Sequence, residues 1–407
     1  MSDRNAAAAP APAQVPAQSP SSSRPPILRL QPTRLALVQL GQTSKDKEAN
    51  FRHARELIVK AVKDGQGADI VVLPECWNSP YGVQYFNDYA EDFGGLWEKV
   101  KRPIDRRGCR VRVRDEDEGE GEGADADGDA ADGRDGRPNR ISGSGQGRVG
   151  ASLHSSSNCT HESDLLKRWG IDGLGGSALE VDSVTCPSES IKFMSSIARE
   201  FSIVLVGGSI PERNGRDGRL FNTATVYDQK GRLIAIHRKI HLFDINIPGK
   251  MTFQESLTLT GGDRVTVFEC SLGRFGLAIC YDMRFPELAA IAARLGAGAM
   301  IYPGAFNTTT GPRHWELLQR CRAMDNQVYV AACSPARAST DEIKEGAYPA
   351  WGHSMITDPW ATVVATTDEA ESIVRWTLEP KTVDEVRTAI PITRQRRYDV
   401  YTDPTLS

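Results

Sequence analysis

An α/β layered domain with mixed sheets is the fold class predicted by this 407-residue sequence. Two observations carry the prediction. Short apolar runs of strand length, such as Asp69-Ile-Val-Val-Leu73 and Ala299-Met-Ile-Tyr-Pro303, alternate with segments of helical period. Toward the middle and end, antiparallel hairpins join them; in the clearest case Asp228-Gln-Lys-Gly-Arg232 links the runs 221–227 and 233–237.

The first 26 residues are rich in Ala, Pro and Ser and bury too little surface to order themselves, and the N-terminal extension through residue 32 is expected to be disordered. Order begins with the strand Thr33–Leu40 and continues through a helix over Lys45–Lys63, with Phe51, Leu57, Ile58 and Val62 among its apolar positions. The strand Asp69–Leu73 is apolar on both faces, as a strand in a sheet interior is, and runs into Pro74-Glu75-Cys76. From about 95 to 187 the sequence loses period. A basic run (Lys99 to Arg114) passes into an acidic Gly/Ala run (Asp115 to Asp135) and then a Gly/Ser-rich stretch. We read this as a low-complexity insertion interrupting one domain that spans residues 33–407.

Periodicity returns with a helix over Ser188–Glu200 and the strand Ile203–Ile210. Further strands are expected at 265–269, 275–279, 299–303, 328–333, 353–357, 361–365 and 372–378, and a Pro-initiated helix at 312–325. The run 275–279 delivers Cys280 at its end. Pro286 then opens a small-residue helix closed by Gly296. A cysteine at such a strand-to-helix turn has backbone N–H groups close behind it, a geometry that suits a nucleophile. Taken alone, a buried cysteine acting as a small hydrophobe is the commoner case.

Composition narrows the function classes. A net charge of −4 gives no nucleic-acid or anionic-membrane surface, and no apolar run is long enough to span a bilayer. The 8 cysteines show no C-x-x-C pair, which points to free thiols in a reducing compartment, cytoplasm or mitochondrion. The 7 histidines form no metal-ligand cluster, and no metal is expected.

Chemistry-bearing residues follow strands in three places: Glu75, Lys239 and Cys280. A thiol needs a base, which a partly desolvated glutamate can be, and a nearby lysine favours both thiolate and oxyanion. Spacing alone leaves plain alternatives open for each: a surface acid, a surface base, a core thiol.

The segments Leu73-Pro-Glu-Cys-Trp-Asn-Ser-Pro-Tyr-Gly82, His237-Arg-Lys-Ile-His-Leu-Phe-Asp244 and Cys280-Tyr-Asp-Met-Arg-Phe-Pro-Glu287 resemble, in order, the signature segments of the carbon–nitrogen hydrolase (nitrilase) superfamily. The resemblance implies a four-layer α-β-β-α sandwich with pseudo-twofold halves, no cofactor and a homodimer. It also implies roles: Glu75 as general base and acid, Cys280 as thioester-forming nucleophile, Lys239 and the backbone N–H of Tyr281 as oxyanion donors, and Glu255 as the second glutamate orienting amide and lysine.

Within the superfamily, Tyr302-Pro-Gly-Ala-Phe-Asn-Thr-Thr-Thr-Gly-Pro312 and Asp325-Asn-Gln-Val-Tyr-Val330 look most like the omega-amidase branch, which hydrolyses the terminal amide of small keto acids such as alpha-ketoglutaramate. The neighbouring deaminated-glutathione amidases are expected to carry Ser in place of Gly304 and Gly in place of Asn307. A carboxylate on the substrate needs a cation: Arg284 is the nearest candidate, with Asn307, Thr308 and Tyr81 as donors. Equally, Arg284 could be a structural residue tied to Asp282 or Glu287. A catalytically silent scaffold acting through its charged insertion is the reading from another class.

Overall fold

The computed structural model describes residues 28–41, 43–99, 178–182 and 184–405. Fifteen strands run through these residues: β1 (Thr33–Gln39), β2 (Ile70–Val72), β3 (Glu91–Asp92), β4 (Val204–Arg213), β5 (Leu220–Tyr227), β6 (Leu233–Arg238), β7 (Asp244–Ile247), β8 (Met251–Gln254), β9 (Thr266–Cys270), β10 (Gly273–Leu277), β11 (Ala299–Pro303), β12 (Tyr329–Cys333), β13 (Met355–Thr357), β14 (Val363–Thr366) and β15 (Ser372–Leu378). The longer helices are α1 (Lys47–Lys63), α2 (Glu189–Phe201), α3 (Pro286–Arg294), α4 (Gly311–Asn326) and α5 (Pro380–Ala389).

The strands form a 7-stranded sheet in the order β15-β1-β2-β4-β5-β6, with β3 beside β4, and a 6-stranded sheet in the order β14-β13-β12-β11-β10-β9. Both sheets show the same succession of pairings. Parallel strands form the centre (β1, β2, β4 in one; β10, β11, β12 in the other), with an antiparallel strand on one side (β15 or β9) and an antiparallel pair on the other. This repetition is the two-halved layout implied by the resemblance.

Side-chain alternation sets the layers. Along β1, Leu35 and Leu37 face the other sheet and share a core with Phe268, Phe275 and Ile301. Ala36 and Val38 point the other way, into a core with Phe51, Leu57 and Ile58 of α1 and Ile191, Met194 and Ile197 of α2. A strand buried on both faces must read as a continuous apolar run, which is how β2 reads. The helices α3 and α4 cover the outer face of the second sheet through Leu288, Ala292 and Trp315. The layers are therefore α-β-β-α.

Caps explain the helix starts. Asp46 accepts from Ala49 N–H before α1, Ser188 accepts from Ile191 N–H before α2, and Pro286 occupies the first turn of α3.

The stretch expected to be one insertion is ordered at both edges. Trp97, in the short helix Leu96–Lys99, is buried with the Arg238 guanidinium 4.3 Å from its ring, and Leu179 bridges to Leu233. The single Trp97 had no periodic context, so pattern reading assigned it to the insertion. Residues 100–177 lie outside the described residues. The N-terminal extension is likewise ordered at its end: Leu30 is buried and bridges to Gly273. Residues 1–27 lie outside the described residues. The hairpin β7–β8 and helix α5 were not anticipated, because their half-exposed pattern lacks a clear apolar stripe.

Candidate active site

Glu75 stands three residues past β2, Lys239 directly follows β6, and Cys280 stands three residues past β10. The two facing sheets bring these strand ends together. Lys239 Nζ donates to Glu75 Oε1 and to Glu255 Oε1, each at 2.9 Å. All three side chains are buried.

Glu75 is placed by a bulge in β4. The register of β4 against β5 shifts between Val206 and Ser209, and Gly208 (φ +59°) comes so close to the Glu75 turn that a Cβ there would meet Pro74 O at 2.2 Å. Ser209 Oγ then accepts from Cys76 N–H at 3.2 Å, and Trp77 Nε1 donates to Gly207 O at 2.7 Å. Asn222 Nδ2 adds a 2.8 Å bond to Glu75 Oε1, while its carbonyl accepts from Lys239 N–H, also at 2.8 Å. Asn222 thus fixes base and cation together. Asn222 was not anticipated; its one signal in the sequence is a polar residue in a strand that is buried throughout.

Glu75 Oε2 is buried without a donor in hydrogen-bonding geometry, and the Cys280 thiol is close enough to interact with the carboxylate. Burial pushes the Glu75 carboxyl above its ordinary value, with Lys239 opposing and Glu255 adding to the rise. Burial also raises the Cys280 thiol well above its ordinary value, and the Glu75 charge raises it further. Both effects favour the thiol form of Cys280 beside the Glu75 carboxylate. Lys239 is pulled down by burial, but Glu255 and then Glu75 outweigh this and hold it charged.

Cys280 opens a 3-10 turn, Cys280–Arg284, with φ at +45°. This left-handed conformation costs a non-glycine residue on the order of 1–2 kcal/mol, so the surroundings must impose it. Asp282 and Arg322 do so. The Asp282 carboxylate accepts from Ile279 N–H at 3.0 Å, and Arg322 Nε and Nη2 donate to Met283 O and Arg284 O, each at 2.9 Å. Ala305 N–H donates to Cys280 Sγ at 3.5 Å. As the second residue of the turn, Tyr281 has no preceding intrahelical carbonyl for its N–H, which leaves that donor unspent within the turn.

Glu255 is held on both oxygens: Phe243 N–H reaches Oε2 at 2.7 Å, and Tyr81 Oη donates to Oε1 at 2.8 Å. Tyr81 is therefore an orienting partner of Glu255. Its ring packs 4.5 Å from that of Tyr348, and both line a cleft with Glu75, Cys76 and Ala350. Asn307 Oδ1 accepts from Thr309 and Thr310 N–H, at 3.0 and 2.9 Å, in the turn that leads into α4. Thr308 is exposed, with its N–H given to Pro349 O at 3.1 Å.

Arg284 is not tied to Asp282, which binds His237 and His241 instead. Among the described residues no carboxylate pairs with Arg284. Its Nη1 meets His314 Nδ1 at 3.1 Å, its Nε is buried without a partner, and it lies over the rings of Phe306 (4.8 Å) and Tyr281 (5.3 Å).

The carbon-nitrogen hydrolase family model matches residues 34–106 and 175–388. The omega-amidase NIT3 of Saccharomyces cerevisiae is 37% identical over 373 residues, covering 92% of this chain and 96% of that protein. The human omega-amidase NIT2 is 39% identical over 368 residues, covering 90% and 96%. The crystal structure of yeast Nit3, a member of branch 10 of the nitrilase superfamily, superposes with a TM-score of 0.62 at 35% identity, covering 90% of this chain and 97% of that one. The family match spans both sheets and every strand end that contributes to this site, and so the chain belongs to the carbon-nitrogen hydrolase family.

Proposed function

We propose that this protein is an omega-amidase that hydrolyses the terminal amide of alpha-ketoglutaramate and alpha-ketosuccinamate through a Cys280 thioester. The observation that carries the reading is one lysine Nζ held 2.9 Å from each of two buried carboxylates, with the buried Cys280 thiol beside Glu75.

In the first half-reaction Glu75 takes the thiol proton as Cys280 Sγ attacks the amide carbon. Lys239 Nζ and the Tyr281 N–H hold the resulting oxyanion. Collapse breaks the C–N bond, Glu75 returns its proton to the departing ammonia, and a thioester remains. Glu75 then deprotonates water, which attacks the thioester carbon. The carboxylic acid leaves and the thiol regains its proton. Glu255, fixed by Phe243 and Tyr81, orients the amide and Lys239. No step calls on a cofactor.

Arg284 would pair with the carboxylate at the far end of the substrate. Its half-buried guanidinium, which has no acidic partner among the described residues, supports this, since a carboxylate arriving there gains a charge-assisted contact. Tyr81, Asn307 and Thr308 were the other candidates. The bonds of Tyr81 and Asn307 within the protein favour orienting roles over direct donation.

Amidase action on deaminated glutathione is the second reading. Gly304 and Asn307, where that branch is expected to carry Ser and Gly, favour the first. Ammonia release measured across alpha-ketoglutaramate, deaminated glutathione, glutamine and a simple nitrile tests it: the keto-acid amide should lead in kcat/KM, and a lead for deaminated glutathione would overturn it. An inactive scaffold is set aside by any such turnover.

The reading includes a homodimer. Exposed Met324 and Tyr401 share one groove, an apolar surface that a second copy could cover. Sedimentation tests this. Among the described residues no helix is long and apolar enough to cross a membrane. We place the protein in the cytoplasm, with the mitochondrion as the alternative that fractionation decides.

A further inference from the structure

The Asp282 carboxylate is fully buried and sits between the two segments that carry Cys280 and Lys239. On the nucleophile side, its Oδ2 accepts from Ile279 N–H at 3.0 Å, while Asp282 N–H returns a 2.9 Å bond to Ile279 O. Cys280 lies inside that closed loop. On the lysine side, His237 Nε2 meets Oδ2 at 3.1 Å, and His241 N–H and Nδ1 meet Oδ1 at 2.9 and 2.8 Å. Lys239 lies midway between those two histidines. His237 is anchored in turn by Thr266 Oγ1 at 3.0 Å, and His241 stacks on Phe285, ring to ring at 3.5 Å.

We propose that Asp282 is a positioning residue whose carboxylate, gripping the Cys280 turn with one set of bonds and the His237–His241 segment with another, sets the distance between nucleophile and oxyanion lysine. The inference rests on the roles given above to Cys280 and Lys239. A buried carboxylate with this many donors is rigid, because each lost bond leaves an unsatisfied group. Side chains farther out on the same strands cannot substitute for it, since Cys280 and Lys239 come from different sheets and share no backbone pairing.

The test uses Asp282→Asn, which keeps the shape but places an NH2 against donors, and the pair His241→Phe and His241→Asn. Phenylalanine keeps the stack on Phe285 and loses the bond to Asp282, whereas asparagine restores a donor near the position of Nδ1. Misplacement of reacting groups by an ångström costs about a hundredfold in rate. Asp282→Asn should therefore lose about a hundredfold in kcat and His241→Phe about tenfold, each with KM nearly unchanged. Both should also slow alkylation of Cys280 by iodoacetamide, and His241→Asn should recover most of the lost kcat.

A lower melting temperature with wild-type kcat in His241→Phe would overturn the proposal and leave Asp282 a packing residue. If Asp282→Asn does not fold, the His241 pair decides alone. Turnover surviving in Cys280→Ala would instead sink the catalytic reading underneath. That result is distinct from an essential Cys280 with an indifferent His241.

Discussion

Gly304 lies against the nucleophile: a Cβ built on it would stand 3.2 Å from Cys280 Cα and 3.6 Å from Trp315 Cζ3. The loop after β11 therefore packs against the Cys280 turn closely enough that a side chain there would push the contact by a few tenths of an ångström. Asp282 and Arg322 hold that turn in place, so the loop would have to yield. Gly304→Ala is expected to lower kcat about tenfold, through displacement of the reacting thiol, and Gly304→Val to abolish turnover. Steady-state ammonia release checks both. Wild-type kcat in the valine variant would show that the loop yields freely.

Cys280→Ala is expected to remove turnover while leaving the far-UV spectrum and melting temperature near those of the wild type, because the change removes a single sulfur atom whose bond from Ala305 N–H is long, at 3.5 Å. Lys239→Met should differ in kind. It also removes turnover, but it leaves Glu75 and Glu255 buried without their cation, at a cost of about 3–5 kcal/mol in stability. Chemical denaturation separates the two variants. An equally stable Lys239→Met protein would mean that both carboxylates take up protons at little cost.

The pH profile follows from burial of the base. In the proposed mechanism Glu75 serves as base only when unprotonated, and burial raises its pKa. Activity should be lost as pH falls through a value above the ordinary carboxylate range. The acidic limb of kcat/KM reports this, as an apparent value for the coupled Glu75–Lys239–Glu255 cluster. A limb at the usual glutamate value would assign the base to a solvated group.

Arg284→Ala should raise KM for keto-acid amides by tenfold or more, about 1.4 kcal/mol, and change KM for a neutral amide far less. Equal losses on both substrates would return Arg284 to a structural role with His314.

Away from the site, Glu91 collects Lys47, Asn78, Ser188 and Ser190 around one buried carboxylate. Burial works to raise its pKa, but the Ser188 and Ser190 bonds and the Lys47 charge win and lower it. A folded-state pKa below the unfolded one gives stability that is present above the unfolded value and lost as pH falls through the folded one. Glu91→Ala should cost about 3 kcal/mol at neutral pH and flatten the acid side of the stability profile, as read by denaturant titration.

Interior strand positions were legible because a strand buried on both faces must be apolar throughout: β11 falls where the pattern put it and β2 is trimmed by a residue at each end, while the half-exposed β15 also falls at its expected bounds. Elements with half-exposed patterns were not, and β7, β8 and α5 carry too little contrast between faces to declare themselves. The same limit put Trp97 in the insertion, since its burial against Arg238 and Arg264 comes from distant parts of the chain.

The sequence by itself determined the fold class through local period, and it singled out Glu75, Lys239, Glu255 and Cys280 as one constellation only through the resemblance of their flanking segments to the family's signatures, since residue type and spacing left each open. Tertiary structure alone decided how they are held. Asn222 joining Glu75 to Lys239, Tyr81 given over to Glu255, Arg284 set against His314 and Asp282 spanning two sheets are all contacts between residues remote in sequence. Their partners are chosen by how two separately formed sheets face each other, and no local periodicity records that choice.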